Sequence, residues 1–188
     1  DLYIQSSYLR NSILQMHQPK KGFQENPKPV SDYILHGRYQ DQVKAQGFMP
    51  YMKPFYDLLE KYRGKMIYLD FWAPWCPPCL AEMEPLKELR KKYKTEDIVF
   101  ITICRGDNRK RLKEVLEKYE MHVDGIEHIL TDDLQDDNNV HKMYNQLNVN
   151  RFPHYFIINR EGVIVNYGSM TRPSYPGTAA CIEQWLGK

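Results

Sequence analysis

The amino-acid sequence predicts an α/β protein, because strand-like and helix-like patterns alternate from about residue 66 to the end of the chain. Residues 66–72 form an almost unbroken apolar and aromatic run, which is typical of a strand buried on both faces, although so short a run does not exclude a buried helix. Residues 80–93 then place apolar side chains at helical spacing with charged residues between them, which predicts an amphipathic helix.

The other elements follow from the same two periodicities. After the strand over 66–72 and a helix over 79–93, we predict a strand over 98–104, a helix over 108–119, a short segment over 127–130, a helix over 137–147, strands over 155–159 and 163–167, and a last helix over 178–186. Residues 159–162 supply a hairpin turn. In a sheet of this order, ligands bind beyond the carboxyl ends of the strands, where Cys76, Cys104 and the loop at Phe152 and Pro153 meet.

The first sixty residues have a different character. Helical patterns over 1–17 and 32–46 flank a segment at 19–29 with three prolines and three lysines, which predicts a linker, and a further helical pattern covers 51–62. We therefore divide the chain into a helical extension, residues 1–60, and an α/β domain, residues 61–188. The extension carries no catalytic pattern. We interpret it as a helical appendage that packs on the domain or remains from an upstream domain, and a platform for a substrate or partner is the alternative.

Composition excludes several classes of function. With a net charge of +2 and no basic stripe, the sequence gives no support for nucleic-acid binding. Its longest apolar runs are strand-sized, far short of the ~20 residues of a membrane helix, so we predict no transmembrane segment in this chain. The chain begins at Asp1 without a methionine, which favours a processed form or an excised domain and leaves a lost secretory signal or lipid anchor open.

Two cysteines, Cys76 and Cys79, stand where the first strand meets the helix that follows it. Unpaired N–H groups and the positive end of the helix dipole favour a thiolate on Cys76, and a thiolate is the nucleophile in disulfide exchange. Pro77 and Pro78 suit a first helical turn, where their missing N–H groups cost nothing. Cys79 lies one turn further on, so its sulfur can close back onto that of Cys76.

Two structural alternatives exist for this cysteine pair. A tetrahedral zinc site needs two more Cys or His ligands at comparable spacing, but Cys104 and Cys181 are isolated and the histidines are not grouped. A permanently closed structural disulfide is the other alternative, and the strand-turn-helix context favours a redox pair over it. We expect Cys181 to be a small buried hydrophobe, and Cys104 likewise, with a third redox thiol as the less favoured interpretation of Cys104.

These residues resemble the active-site segment of thioredoxin-fold proteins, through the stretch Asp70-Phe71-Trp72-Ala73-Pro74-Trp75-Cys76-Pro77-Pro78-Cys79. Residues 151–165, which contain Arg151-Phe152-Pro153-His154, resemble the cis-proline loop and hairpin of the TlpA-like thiol:disulfide reductases of the bacterial cell envelope. The resemblance covers residues 61–188. It implies a three-layer α/β/α sandwich around a central mixed sheet and a periplasmic location, with a membrane anchor outside this chain as one arrangement.

The resemblance also implies roles for single residues. A carboxylate in a buried strand has a raised pKa, and the matching aspartate of the family relays protons to the buried thiol, which assigns Asp70 that role toward Cys79; a structural or surface-facing aspartate is the alternative. Thioredoxin itself has a lysine beside this aspartate on the next strand, and residues 98–104 offer none. Pro85 lies one place beyond the family's helix-kinking proline, which implies a shifted bend beneath the site.

The substrate surface is expected beside the cysteines. Trp75, Pro77, Phe152 and Pro153 are the candidate substrate-binding residues, because the backbone before a cis proline is free to pair with an extended peptide. The histidine that follows, His154, either titrates near the sulfurs or points into the sheet, and we favour the second interpretation.

The sequence therefore predicts a thiol:disulfide oxidoreductase that reduces protein disulfides through Cys76 and Cys79 and is recharged by an upstream thiol reductant, with no bound cofactor and no metal. Isomerase or oxidase activity stays open, because the direction of exchange depends on the reduction potential. A copper-binding or assembly protein that uses Cys76, Cys79 and His154 is a second hypothesis, and a non-catalytic interaction module is a third.

Overall fold

The computed structural model describes residues 50–106, 108–134, 137–162 and 164–187. The helices predicted at 1–17 and 32–46 and the linker at 19–29 lie outside the described residues. The described part opens with a 3-10 helix, Pro50–Met52, and helix α1, Lys53–Lys61. Both contribute buried side chains to a core cluster that includes the central strands. The predicted boundary between residues 60 and 61 therefore falls inside α1, a helix that shares its core with the α/β domain.

Five strands form one mixed sheet, and their order across it is β3-β2-β1-β4-β5. The first three are parallel neighbours, whereas β4 runs antiparallel to both β1 and β5. The predicted mixed sheet is thus confirmed, and every strand agrees with its predicted bounds within one residue. The strands are β1 (Met66–Trp72), β2 (Ile98–Cys104), β3 (Ile126–Leu130), β4 (His154–Ile158) and β5 (Ile164–Tyr167).

Burial follows position in the sheet. Every residue of β1, β2 and β4 is buried, as their near-continuous apolar runs predict for strands covered on both faces. The edge strands β3 and β5 are mostly half-buried. The hairpin between β4 and β5 closes through a hydrogen bond from the Gly162 N–H to the Asn159 carbonyl, and Gly162 has a positive φ of 77° that favours glycine.

Helices cover both faces of the sheet. None of the helices in the described residues is long and apolar enough to cross a membrane. After α1 the helices are α2 (Pro77–Leu80), α3 (Met83–Lys91), α4 (Arg109–Lys118), α5 (Thr131–Leu134), α6 (Asp137–Gln146) and α7 (Pro176–Leu186), with a second 3-10 helix at Ser169–Thr171.

The single helix predicted over 79–93 is wrong, because the chain forms α2 and α3 with a break at Ala81 and Glu82. Pro85 explains the break. It has no N–H to donate to the Ala81 carbonyl, and its ring would clash with that carbonyl in a continuous helix. In α3 the same proline sits in the first turn, where backbone N–H groups have no partner within the helix. The bend therefore lies upstream of Pro85, close to the cysteines.

The two faces of the sheet have separate cores, because successive strand residues point to opposite sides. Helices α1 and α6 cover one face, and α2, α3, α4 and α7 cover the other. This arrangement confirms the predicted three-layer sandwich. We call the second side the cysteine face, since Cys76 and Cys79 pack there with Tyr68, Trp72, Phe100 and Tyr155, and the first side the opposite face, built from Ile67, Leu69, Phe71, Ile101 and Phe156.

Candidate active site

A turn at the carboxyl end of β1 places the first cysteine. The Cys76 N–H donates to the Ala73 carbonyl at 3.1 Å, and the Arg105 N–H donates to the Trp72 carbonyl at 2.8 Å, which ties the turn to the end of β2. Cys76 has extended dihedrals and caps α2 at its N-terminus, and Pro77 and Pro78 occupy the first two helical positions as predicted. The local sequence thus ends the strand and starts the helix within four residues.

Cys76 and Cys79 are joined in a disulfide. Residue exposure hardly separates them, since Cys76 is 5% exposed and Cys79 is 2% exposed. Their positions relative to α2 differ, because Cys76 caps the helix and Cys79 lies within it. The Sγ of Cys76 accepts a hydrogen bond from the Cys79 N–H at 3.3 Å, so the N-cap sulfur lies where N–H groups and the helix dipole stabilise negative charge. Cys76, and not Cys79, therefore holds the N-cap position of α2.

Asp70 lies in the middle of β1 on the cysteine face, in alternation with Tyr68 and Trp72. The residue is 3% exposed, and its Oδ1 has no hydrogen-bond partner among the described residues. Burial raises the pKa of the Asp70 carboxyl well above its usual value, and the negative charge of Glu82 raises it further. The raised pKa expected from the sequence is confirmed, because burial favours the neutral form of the carboxyl.

The neighbours of Asp70 across the sheet are Thr102 on β2 and Tyr155 on β4. Thr102 takes the register position directly opposite Asp70. The charge of Asp70 also acts on the next thiol along β2: burial and then Asp70 raise the pKa of Cys104 to about 12. Cys104 is consequently a protonated, buried thiol at neutral pH, in agreement with its expected role as a small hydrophobe.

Glu82 is a member of the site that no sequence motif marks. It lies in the break between α2 and α3, and its carboxylate accepts hydrogen bonds from the Ser174 N–H at 2.8 Å and the Ser174 hydroxyl at 2.7 Å. The Arg172 Nε lies 4.0 Å away. The sequence signal nearest to it is Pro85, since Glu82 lies in the helix break that this proline causes. The negative charge of Glu82 contributes to the raised pKa of Asp70.

An aromatic surface borders the disulfide. Trp75, directly before Cys76, is 59% exposed, and its ring meets that of Phe152 edge to face at 5.9 Å between centroids. Phe152 in turn contacts the Tyr144 ring at 5.8 Å. The peptide bond between Phe152 and Pro153 is cis. Trp75 and Phe152 therefore meet beside the cluster that contains the two cysteines, Pro77 is exposed directly after Cys76, and Pro153 follows Phe152 across the cis bond.

His154 does not belong to this rim. It alternates with Tyr155 on β4 and faces the opposite side of the sheet, where its ring meets those of Phe156 and Tyr167. Burial, together with the charge of Arg151, lowers the pKa of His154 to about 4. The interpretation of His154 as a residue that points into the sheet is confirmed, and a titration beside the sulfurs is excluded by its side of the sheet.

The position of His154 also contradicts the copper hypothesis, because His154 and the two cysteines lie on different sides of the sheet. Within the described ranges, no three His, Cys, Asp or Glu side chains lie close enough to hold a metal ion, so Cys76, Cys79 and His154 do not form such a group. Cys104 and Cys181 form no disulfide. The sequence predicts a buried Cys181, but the residue is only half-buried, and that partial burial raises its pKa.

Comparisons with known proteins agree with this fold and site. The model of the Redoxin family matches residues 55–180. The thiol-disulfide oxidoreductase ResA of Geobacillus kaustophilus is 29% identical over 116 residues, which cover 61% of this chain and 61% of that protein. The matched part of the chain therefore spans about three fifths of the curated relatives' length.

Two solved structures extend the comparison. The solution structure of a putative thiol-disulfide oxidoreductase from Bacteroides vulgatus is 33% identical, with a TM-score of 0.54, and the match covers 69% of this chain and 78% of that one. The thioredoxin domain of another Bacteroides vulgatus thiol-disulfide oxidoreductase has a TM-score of 0.55 at 19% identity, covering 66% and 84% of the two chains, and supports the fold alone.

The sheet order, the helix-capping cysteine and the cis-proline loop define a thioredoxin-fold protein with a dithiol site of the TlpA and ResA kind. The chain belongs to the Redoxin family.

Proposed function

We propose that the protein is a thiol:disulfide oxidoreductase that reduces disulfides in other proteins through Cys76 and Cys79. The observation that carries the proposal is the Cys76–Cys79 disulfide at the N-terminus of α2, with the Cys76 Sγ in a hydrogen bond from the Cys79 N–H. A capping sulfur in this position is a good nucleophile and a good leaving group, because negative charge on it is stabilised.

The reaction begins with the reduced dithiol. The Cys76 thiolate attacks one sulfur of the substrate disulfide, which forms a mixed disulfide and releases the other substrate sulfur as a thiolate. Cys79 then gives its proton to the Asp70 carboxylate and attacks the Cys76 sulfur. The mixed disulfide breaks, the second substrate sulfur leaves, and the protein is left with the Cys76–Cys79 disulfide.

A second dithiol must return two electrons and two protons to close the cycle, so we expect an upstream thiol reductant as a partner. Because the two cysteines carry both electrons, the cycle needs no bound cofactor. Trp75, Pro77, Phe152 and Pro153 form the surface on which an extended substrate segment docks, and the exposed Trp75 ring supplies its largest apolar contact.

We also propose a location in the cell envelope, in the periplasm. Its support is the resemblance to envelope reductases and the chemistry of the reaction, since protein disulfides persist in oxidising compartments. Fractionation of cells that express the full-length protein tests this location, and recovery in the cytoplasm alone contradicts it.

Trapping the mixed disulfide tests the activity itself. Cys79→Ser keeps the attacking sulfur and removes the resolving thiol, so it should accumulate adducts with protein disulfides or with glutathione. Cys76→Ser is the matched control and should trap none. If neither variant forms adducts under oxidising conditions, the proposed exchange reaction is wrong.

The reduction potential decides between a reductase and an oxidase or isomerase. Equilibration of Cys76 and Cys79 with a glutathione or dithiothreitol buffer measures it directly. A reductase should lie nearer thioredoxin, at roughly −270 mV, than a strong oxidant such as DsbA, at about −120 mV. A value close to that of DsbA would replace reduction by oxidation as the proposed direction.

A further inference from the structure

A row of polar side chains crosses the cysteine face of the sheet. His128 on β3, Thr102 on β2, Asp70 on β1 and Tyr155 on β4 are successive register partners. Register partners on neighbouring strands point to the same side, and the strands are about 4.8 Å apart. Thr102 therefore lies between the imidazole of His128 and the carboxyl of Asp70, on the face that carries the disulfide.

The hydrogen-bond partners of His128 show which groups in this row donate and which accept. The Nε2 of His128 lies 2.9 Å from the Met121 carbonyl oxygen, which can only accept, so Nε2 carries the hydrogen. Burial lowers the pKa of His128 and keeps its ring neutral, and Nδ1 is then an acceptor. The Thr102 hydroxyl, 2.7 Å from Nδ1, must donate to it. Its hydrogen thus points toward β3 and away from β1, the strand of Asp70, and its oxygen keeps a lone pair that can accept a further hydrogen bond.

This row places polar side chains in the core, which costs free energy, and not every buried polar atom in it has a hydrogen-bond partner within the described part of the chain. Thr102 is fully buried, and every other residue of β2 is apolar. A buried hydroxyl costs free energy unless it forms a hydrogen bond, and apolar side chains at these two positions of β2 and β3 would avoid that cost. The Asp70 Oδ1, at the next position, has no hydrogen-bond partner among the described residues. Such a partly satisfied buried group calls for an explanation beyond stability.

We propose that Thr102 and His128 are positioning residues for Asp70: His128 takes the Thr102 hydroxyl hydrogen, so that the Thr102 oxygen can accept a hydrogen bond from the protonated Asp70 carboxyl. This proposal deepens the proposed function, because the use of Asp70 as the proton acceptor for Cys79 rests on it. An acceptor that faces Asp70 favours its neutral form, as burial does. The carboxylate is then a stronger base when it does form, and it accepts the Cys79 proton more readily.

Other groups act on the same carboxyl and must stay constant in any test. Tyr68 on β1, Cys104 on β2, Tyr155 on β4 and Glu82 between α2 and α3 interact with Asp70. Arg172 interacts with Tyr155 and pairs with Glu82. On the far side of the row, His122 and Glu127 interact with His128. Replacement of Thr102 or His128 alone leaves all of these in place.

The direct test is a carboxyl carbon-13 NMR titration of Asp70 in the full reduced chain. In His128→Leu the Thr102 hydroxyl loses its acceptor and can turn to donate to the Asp70 carboxylate, so the midpoint should fall by about one pH unit. His128→Asn keeps an oxygen acceptor near the Nδ1 position and should retain the wild-type midpoint. Single-turnover resolution of the mixed disulfide should follow, with its acid limb moved to lower pH in His128→Leu alone.

A second pair of variants keeps the test decisive if His128→Leu does not fold. Thr102→Ala removes the acceptor oxygen and should lower the Asp70 midpoint, whereas Thr102→Ser keeps the oxygen and should not. Equal midpoints in all folded variants would overturn the proposal. A shifted midpoint in a protein that shows no disulfide exchange would support the positioning role and reject the proposed function, so the two failures are distinguishable.

Discussion

The two faces of β1 differ in what they contribute: one face supplies apolar packing, and the other carries polar groups beside the disulfide. Ile67, Leu69 and Phe71 point to the opposite face and join an apolar cluster under α1 and α6. Tyr68, Asp70 and Trp72 point to the cysteine face, where a carboxyl, a threonine, a histidine and a tyrosine share the core with the disulfide. Because side chains alternate with a period of two, one face can hold the strand in place while the other carries costly polar groups.

Asp70 and His154 sharpen this comparison. They lie on neighbouring strands, and burial is the main cause that shifts both pKa values toward the neutral form. Only Asp70 shares a face with the sulfurs. A perturbed pKa therefore marks a candidate functional residue only when the side of the sheet agrees.

The largest expected difference is between the alkylation rates of two thiols on the cysteine face, Cys76 and Cys104. Reduced protein treated briefly with an alkylating reagent at pH 7 should be labelled at Cys76 first and not at Cys104. A thiol with a pKa of about 12 has a thiolate fraction of roughly one in 10⁵ at that pH, and the thiolate is the reactive form. Mass spectrometry after a short reaction locates the label. Labelling of Cys79 before Cys76 would contradict the assignment of the attacking sulfur.

On the opposite face, Phe71→Ala should lower the free energy of unfolding by about 3–5 kcal/mol. Phe71 is fully buried, and its ring meets those of Tyr144 and Phe156 edge to face. Denaturant titration measures the loss. Phe71→Leu, the matched control, keeps most of the volume and should lose less. The exchange rate per folded molecule should change little, and a large loss of rate without a loss of stability would show that the faces are not separate.

Asp70→Asn should slow resolution of the mixed disulfide near neutral pH and leave the first attack by Cys76 close to normal, since the helix terminus activates that sulfur. Stopped-flow kinetics from pH 6 to 9 separates the two steps, in a range around the thiol reference pKa of ~8.5. Unchanged resolution together with clear destabilisation would make Asp70 a purely structural acid.

The same variant has a pH-dependent effect on stability. Because the folded-state pKa of Asp70 is raised, its protonation stabilises the fold at low pH, and this contribution is lost as pH rises from the ordinary carboxyl value toward the folded pKa. Relative to wild type, Asp70→Asn should gain up to ~1.4 kcal/mol per pH unit across that window and stay level above it. Unfolding curves at several pH values check the slope.

The smallest kinetic effect is expected at His154. His154→Phe should leave exchange rates unchanged from pH 6 to 8, because the imidazole is already neutral there and faces away from the sulfurs. Its effect should appear in acid stability. The wild type must protonate His154 on unfolding, so it loses up to about 3 kcal/mol as pH falls from 6.5 to 4, and the variant should not. Equal acid sensitivity of the two proteins would show that His154 is not held neutral by the fold.

Local sequence determined much of the fold and the chemistry of this protein. The apolar runs at 66–72 and 98–104 matched two strands residue for residue, and the proline pair after Cys76 occupies the first turn of the helix that Cys76 caps. These features depend on neighbours in the chain, which a sequence displays directly. The break before Pro85 is also local, since a missing N–H and a ring clash cause it, although the length of the periodic pattern favoured one continuous helix.

Only the tertiary structure decided which ionisable groups meet. The sequence places His154 one residue from the loop beside the disulfide, yet strand alternation turns it to the far side of the sheet. Glu82 meets Ser174 across 92 positions of chain, and the row that sets Asp70 beside Thr102, and Thr102 beside His128, depends on the register of three strands. The alternation of its own strand decides to which side of the sheet a side chain points. The residues that it contacts on neighbouring strands depend on register and sheet order, and these depend on the packing of the whole domain.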